Sequence, residues 1–325
     1  MDKITIHRKY QSQLVFPNLT KVYPHLREYS FDEEYFLFNG NSGKGKLRVQ
    51  LKYFDSQTEL FISGSWRNFF AQGNRTRFDL RKRHFRAVAR TIAEELNIPI
   101  EELYSFQISY LEIGCNVVLP PEFKDLPKCF VGYSTRERTP FETTAGFYGE
   151  TFTLQVYDKL EEVLNPSPLR GKISKVASRA KLHILACWKQ KMAVHRFECK
   201  AKPSKVPWLK DFTTLRAVLE NWGQAGEIVQ ERFRKVYFIN RLDEQELSFE
   251  NVSPRELSNK LDVYAMRGIG IERLFNSIDQ FSGKNNAKRK RDKVDQYNAE
   301  TNNPEEYKEF VFQAIKERFS QLGMD

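Results

Sequence analysis

The stretch from Phe106 to Leu119 limits the possible folds more than any other part of the chain. Leu111, Ile113, Cys115, Val117 and Leu119 fall on one side of it, and Tyr110, Glu112, Gly114 and Asn116 on the other. That period of two predicts a long strand with one apolar face against a core and one polar face carrying Glu112. Other segments offer it partners. Leu47, Val49, Leu51 and Tyr53 alternate up to a break at Asp55-Ser56, and Leu60 and Ile62 resume the pattern, which predicts a hairpin. Thr143–Tyr148 and Thr151–Asp158 flank Gly149 as a second pair, with Phe152, Leu154 and Val156 on one face and Thr153, Gln155, Tyr157 and Lys159 on the other. Ala193–Lys202 reads as a further strand.

Helical spacing interrupts the strands. Asp79 is placed to cap a helix whose apolar stripe is Phe85, Val88, Ala89, Ile92, Ala93 and Leu96, ending at Asn97 ahead of Pro99. Asn165 to Lys172 is a Pro/Gly loop, and Val176 to Trp188 reads as a helix. These elements predict an α+β fold, an antiparallel sheet core with packed helices, over residues 1–206. Beyond Pro207 the spacing turns helical, at Phe212–Trp222 and Glu227–Val236. Ser253-Pro254-Arg255-Glu256 then opens another helix as a capping box, and a last one runs from Asn303-Pro304 to about Leu322. A mainly helical C-terminal domain is therefore expected over 207–325, with a solvated basic loop at 284–293.

The length of 325 residues suits two such units. Lys and Arg number 52 against 42 Asp and Glu, a formal charge of +10 that favours polyanionic partners. Cys115, Cys129, Cys187 and Cys199 form no C-x-x-C pair and read as reduced core residues. No secretory leader pattern and no long apolar run stands out, so a cytoplasmic protein without a membrane span is expected.

Several residue groups suggest chemistry, each with a plainer alternative. Trp66 to Arg90 interleaves Arg67, Arg75, Arg77, Arg81, Lys82, Arg83, Arg86 and Arg90 with Trp66, Phe69, Phe70, Phe78 and Phe85, a mixture suited to phosphate contact and base stacking, or to a solvated helix face beside a core. Lys288, Arg289, Lys290 and Arg291 form a second basic run. Glu112 stands on the polar face of an apolar strand, where a carboxylate needs a cation or a metal, and Arg196 is a candidate ion-pair partner. Asn116 shares its face. Arg196, Glu198 and Lys200 share one face of the later strand, so Glu198 can join Glu112, whereas His195 points with Phe197 and Cys199 and reads as a core histidine. Tyr148, at a Gly-containing turn, and Tyr157, within a strand beside Lys159, are the candidate nucleophiles; the alternative for each is packing with one hydrogen bond.

Gly64-Ser65-Trp66-Arg67-Asn68-Phe69-Phe70, Glu95 to Ile100, Tyr110-Leu111-Glu112-Ile113-Gly114-Cys115-Asn116, Val156-Tyr157-Asp158-Lys159 and Arg196-Phe197-Glu198 stand in an order that resembles the phage and plasmid replication proteins of the gene II/X type, over roughly residues 45 to 240. The Tyr-Gly stretch before Tyr157 also looks like the Rep_trans rolling-circle initiators. Two positions depart from the pattern: Tyr110 stands where arginine is usual, and Glu112 where aspartate is.

The resemblance implies a tyrosine-endonuclease-like fold and a rolling-circle replication initiator that nicks and rejoins DNA. Tyr148 would attack, with Tyr157 as second candidate and Lys159 neutralising charge on the phosphate. Glu112 and Glu198 would hold Mg²⁺ or Mn²⁺, with Asn116 as accessory ligand. DNA contacts would come from Arg67, Arg75, Arg77, Arg81, Arg83, Arg196, Lys288, Arg289, Lys290 and Arg291. The implied partners are origin DNA, single-stranded or supercoiled duplex, and host helicase and polymerase in a bacterial cytoplasm. The His-hydrophobe-His metal motif common in the wider class is absent. A non-catalytic DNA-binding protein of a phage or plasmid is the alternative expectation.

Overall fold

The computed structural model describes residues 1–11, 20–21, 33–39, 46–54, 57–71, 79–133, 136, 138–139, 143–164, 187, 190–238, 253, 288, 292 and 304–323. Among them, nine strands form one antiparallel sheet: β1 (Lys3–Tyr10), β2 (Thr20–Lys21), β3 (Glu33–Asn39), β4 (Lys46–Phe54), β5 (Gln57–Ser65), β6 (Gln107–Leu119), β8 (Thr144–Phe147), β9 (Phe152–Asp158) and β10 (Ala193–Ala201). Their spatial order is β2-β3-β4-β5-β1-β6-β10-β9-β8. Two short strands, β7 (Phe130–Gly132) and β11 (Tyr237–Phe238), pair separately. The fold is α+β, as the alternation and helical stripes predict.

The longest strand, β6, lies between β1 and β10, and its odd-numbered residues from Leu111 to Leu119 are all buried in the core. Helices cover that face. After the short α1 (Trp66–Phe70), α2 (Lys82–Leu96) buries Phe85, Val88, Ala89, Ile92, Ala93 and Leu96, the stripe its spacing predicts. Burial of one large apolar side chain of this kind contributes about 1.5–3 kcal/mol, so the stripe fixes the helix on the sheet. Its C-cap, Asn97, adopts the left-handed conformation with φ 53°. At the other end the expectation fails: Arg81 is the N-cap and makes no side-chain cap bond, while Asp79 turns inward and is buried. Two guanidinium partners, the buried Arg196 and the half-buried Arg318, outcompete the single cap bond that Asp79 would otherwise accept.

Beyond residue 207 the described chain forms a 3₁₀ segment at Pro207–Phe212, α6 (Leu215–Glu220), α7 (Gln224–Arg234) and a last helix, α8 (Pro304–Gly323). The labels α3, α4 and α5 denote Ile100–Tyr104, Leu126–Cys129 and Lys159–Leu164. Leu209, Val218, Phe233, Phe312 and Phe319 belong to the same hydrophobic cluster as the sheet and α2. Of the helix expected at Val176–Trp188 only Cys187 is described, as helical, and of the one opening at Ser253 only Ser253 itself. In the run 284–293, expected as a loop, the two described residues, Lys288 and Asp292, are exposed and helical, which corrects that expectation at those positions. All four cysteines are free and buried. Among the described residues no helix is long and apolar enough to cross a membrane.

One irregularity of the sheet prepares the site. β1 pairs with β6 only as far as Leu111, whereas β10 follows the other edge of β6 from Leu111 to Leu119. Past Leu111 the β1-side edge of β6 meets no strand among the described residues. Two acidic residues take over: Asp2 N donates to the Glu112 carbonyl at 2.9 Å, and the Asp79 carboxylate accepts the Asn116 N–H at 3.0 and 3.1 Å. Backbone groups that lose a ladder partner must find another, and here acidic residues supply it.

Candidate metal centre

Antiparallel register sets the polar face. Arg196 stands opposite Asn116, Glu198 opposite Gly114 and Lys200 opposite Glu112. On the far side of β10, Gln155 pairs with Glu198 and Tyr157 with Arg196, and on β8 Thr144 and Gly146 continue those rows. Glu112 and Glu198 thus meet across neighbouring strands, as their shared polar face predicts. Asp2, just before β1, brings a third carboxylate, and one oxygen of each acid lies within 4.8 Å of the others. All three are buried at the floor of an open cleft of about 670 Å³, whose walls include Lys3, Arg67, Asn68, Thr144, Tyr157 and Lys200.

The acids are unequally matched by cations. Asp2 takes Arg196 Nη2 and Arg67 Nη2, each at 2.9 Å, and the Ser65 hydroxyl at 2.8 Å. Burial pushes the Asp2 carboxyl up, but those two guanidinium groups and the hydroxyl together hold it below its ordinary value. Glu198 binds Arg196 Nε, Lys200 Nζ at 2.8 Å and the Tyr157 hydroxyl at 3.1 Å. For it too burial is outweighed, by Arg196 and then Lys200, and the carboxyl sits low. Among the described residues Glu112 pairs only with Lys200, at 4.0 Å. Burial, then the charges of Glu198 and Asp2, push its carboxyl up to about 7. This is the acid whose charge is least compensated, and oxygen donors of this kind fit a hard divalent cation.

Arg196 ties the floor together. It is fully buried and also bonds Asp79 at 3.0 Å and Asn116 Oδ1 at 3.2 Å. To reach Asp2 and Asp79 it must cross β6, and it crosses at Gly114. A Cβ there would lie 2.7 Å from the Phe197 carbonyl oxygen and 3.2 Å from Arg196 Nη2. Gly114→Ala should therefore force strand or guanidinium apart and lower stability by about 1–3 kcal/mol, the usual cost of overpacking. Urea denaturation measures it, and an unchanged midpoint would mean that Arg196 needs no such opening. Behind Asp79, Arg318 of α8 donates to the second oxygen, with Nε and Nη2 both at 3.0 Å.

The remaining expected site residues are distributed as follows. Tyr148, next to β8, is 53% exposed, and its ring lies across Gly146, where a Cβ would approach Tyr148 Cε2 to 2.7 Å. Gly146 pairs with Gln155 on β9, and Gln155 Oε1 accepts from Lys200 at 3.0 Å, so the Tyr148 ring stands one strand across from the Lys200 ammonium. Tyr157 lines the cleft, but burial drives its phenol far above the ordinary range. Lys159 is buried and paired with Glu162 and does not line the cleft, whose cations include Lys3, Arg67 and Lys200. Asn116 is not a plausible accessory ligand, because four residues along a strand separate it from Glu112 by about 13 Å, and its amide oxygen is held by Arg196.

Arg196 has no exposed surface for DNA. Trp66 likewise is no stacking platform: the Ser65-capped α1 turns it inward against Phe85, with ring centroids 4.6 Å apart. Arg67 is nearly buried but lines the cleft; Arg83, Arg86 and Arg90 are exposed on α2, and Arg81 is half-buried. Arg75, Arg77, Arg289, Lys290 and Arg291 lie outside the described residues. His195 is buried with Nε2 at 2.7 Å from the Phe123 carbonyl, a core histidine as its neighbours predict.

Two acids of this arrangement escape sequence reasoning. Asp2 has the parity of buried Ile4 and Ile6, so alternation hides it, and Asp79 resembles a helix cap. Compared with protein-family models, with curated proteins and with solved structures, the chain gives no match.

Proposed function

We propose that this chain is a metal-dependent DNA nicking and joining enzyme that initiates rolling-circle replication, on a tyrosine-endonuclease-like scaffold of the gene II/X kind. The observation that carries the reading is the convergence of Asp2, Glu112 and Glu198 at the floor of an open cleft lined by Lys200 and by Thr144 of β8, the strand that the exposed Tyr148 follows. Glu112, Glu198 and Asp2 would hold Mg²⁺ or Mn²⁺, and the bound ion would supply Lewis-acid polarisation of a phosphoryl oxygen.

The chain's own residues do the rest. Tyr148 Oη attacks the phosphorus; a tyrosyl O–P bond forms as the P–O3′ bond breaks. The phenolic proton leaves to solvent at the open rim, and the departing oxygen takes one up as a 3′-OH. The 5′-phosphotyrosine conserves the bond energy for rejoining, and the 3′-OH serves host polymerase once a helicase opens the duplex. Tyr157 orients Glu198 through its hydroxyl. Exposed Arg83, Arg86, Arg90 and Lys288 offer phosphate contacts.

A decisive experiment incubates the protein with Mn²⁺ and single-stranded circular DNA of the replicon that encodes it, then digests the product and maps the tyrosine that keeps a nucleotide. An adduct on Tyr148 is expected; no adduct with any metal would end the catalytic reading. One observation favours a second reading, a DNA-binding protein without catalysis: Arg196, Arg67 and Lys200 already partner the acids, as in a purely structural ion network.

The pH dependence of metal binding separates these two readings. Glu112, pushed up to about 7 from the ordinary 4.5, keeps its proton in the fold where the unfolded chain releases it. Its contribution therefore lowers stability as pH rises from about 4.5 to about 7, and that loss is complete above. A cation that takes the ionised carboxylate reverses the loss, so Mn²⁺ should raise Tm several degrees more at pH 8 than at pH 5.5. Equal shifts at both pH values would leave a structural network.

A further inference from the structure

Lys200 sits where a divalent cation would have to bind. Its ammonium lies 2.8 Å from Glu198 Oε2 and 4.0 Å from Glu112 Oε2, bridging two of the three acids that define the centre. It is the cation opposite Glu112 in the register. Arg196 also touches these acids, but it is fully buried and fixed by four side chains, so it cannot leave. Lys200 differs on both counts. Its side chain is 26% exposed, its other partner is the neutral Gln155 at 3.0 Å, and its stem has four rotatable carbons.

A divalent ion held by Glu112 and Glu198 repels an ammonium about 4 Å away and takes over the carboxylate oxygens that hold it. The direction open to Lys200 is toward β8: Gln155, which accepts from it at 3.0 Å, pairs with Gly146, and the ring of the exposed Tyr148 lies across Gly146. We infer that Lys200 competes with the metal for Glu112 and Glu198, and that metal binding transfers its ammonium to the Tyr148 hydroxyl and the phosphate under attack. There it neutralises the charge that develops as the phenolic oxygen loses its proton and bonds to phosphorus, without giving up a proton of its own. Loading of the metal and arming of the nucleophile thereby become one event. The inference rests on the metal reading of this site.

Titration with Mn²⁺ alone, followed by the electron paramagnetic resonance signal of the free ion, tests it. Lys200→Met keeps the length and apolar stem but removes the competitor, and should bind Mn²⁺ roughly tenfold more tightly than the wild type. Lys200→Arg keeps a cation there and should stay within about threefold of the wild type, which guards against a general loosening of the fold. In ¹³C-lysine-labelled protein, the Cε signal absent from Lys200→Met should shift when Mg²⁺ is added. Equal or weaker Mn²⁺ binding by Lys200→Met, or a stationary Cε signal, overturns the exchange while wild-type binding leaves the metal centre standing. No Mn²⁺ binding by the wild type or by Lys200→Met removes both.

Discussion

Arg196→Met should unfold this protein more readily than any other single change at the site, with a loss of about 3–5 kcal/mol, the range measured when one partner of a buried ion pair is deleted. The guanidinium bonds Asp2, Asp79, Glu198 and Asn116, and no solvent reaches it. Methionine fills much of the same volume, so the deficit is electrostatic rather than a cavity: Asp2 and Glu198 lose the partner that contributes most to keeping them ionised. Chemical denaturation with and without Mn²⁺ checks this. The variant should recover part of its stability with the metal, since a divalent ion replaces some of the missing charge. A loss below about 1 kcal/mol would mean the acids are protonated or solvated in a way the buried geometry does not allow.

The second large effect concerns chemistry. Tyr148→Phe should bind single-stranded DNA as the wild type does, form no covalent adduct, and nick at least about a hundredfold more slowly, the scale expected when a nucleophile is removed. Stability should hardly move, because the Tyr148 side chain is mostly exposed and its ring contact with Gly146 survives in phenylalanine. Tyr157→Phe should behave differently. It removes the hydrogen bond to Glu198 inside the cleft, so it should weaken Mn²⁺ binding while leaving the adduct in place. Denaturing gel analysis of labelled DNA distinguishes them, and an adduct that survives in Tyr148→Phe but not in Tyr157→Phe reverses the two roles.

The parts of this architecture that were legible in the sequence are those governed by local period. Alternation placed Leu111, Ile113 and Cys115 against the core and Glu112 opposite them, and the same rule put Glu198 and Lys200 together on β10. Helical spacing gave the buried stripe of α2 residue by residue. What local period cannot carry is distance along a strand and departure from it. Asn116 shares the face of Glu112 yet lies too far along β6. Lys159 has the right parity on paper, but the chain turns into α5 at that residue and buries it beside Glu162. Asp2 enters the site from just before β1, where its amide reaches the Glu112 carbonyl and its own carbonyl accepts from Trp66. Asp79 was readable as a cap because a cap and a buried counter-ion draw on the same short acidic side chain.

The β1-side edge of β6 beyond Leu111, which among the described residues meets acids rather than a strand, also bears on how the molecule comes to be folded. Its closure depends on contacts that join Asp2 to Arg196 across 194 positions and Asp79 to Arg318 across 239. Such separations make loop closure expensive before any contact repays it, and they slow folding. While the chain is being synthesised, Asp2 and Asp79 emerge first and must wait, charged and solvated, for β10 and then for α8. The candidate centre is therefore expected to be among the last parts of the protein to form, so that a growing or partly folded chain carries its acids apart and has no metal-binding floor with which to cut DNA.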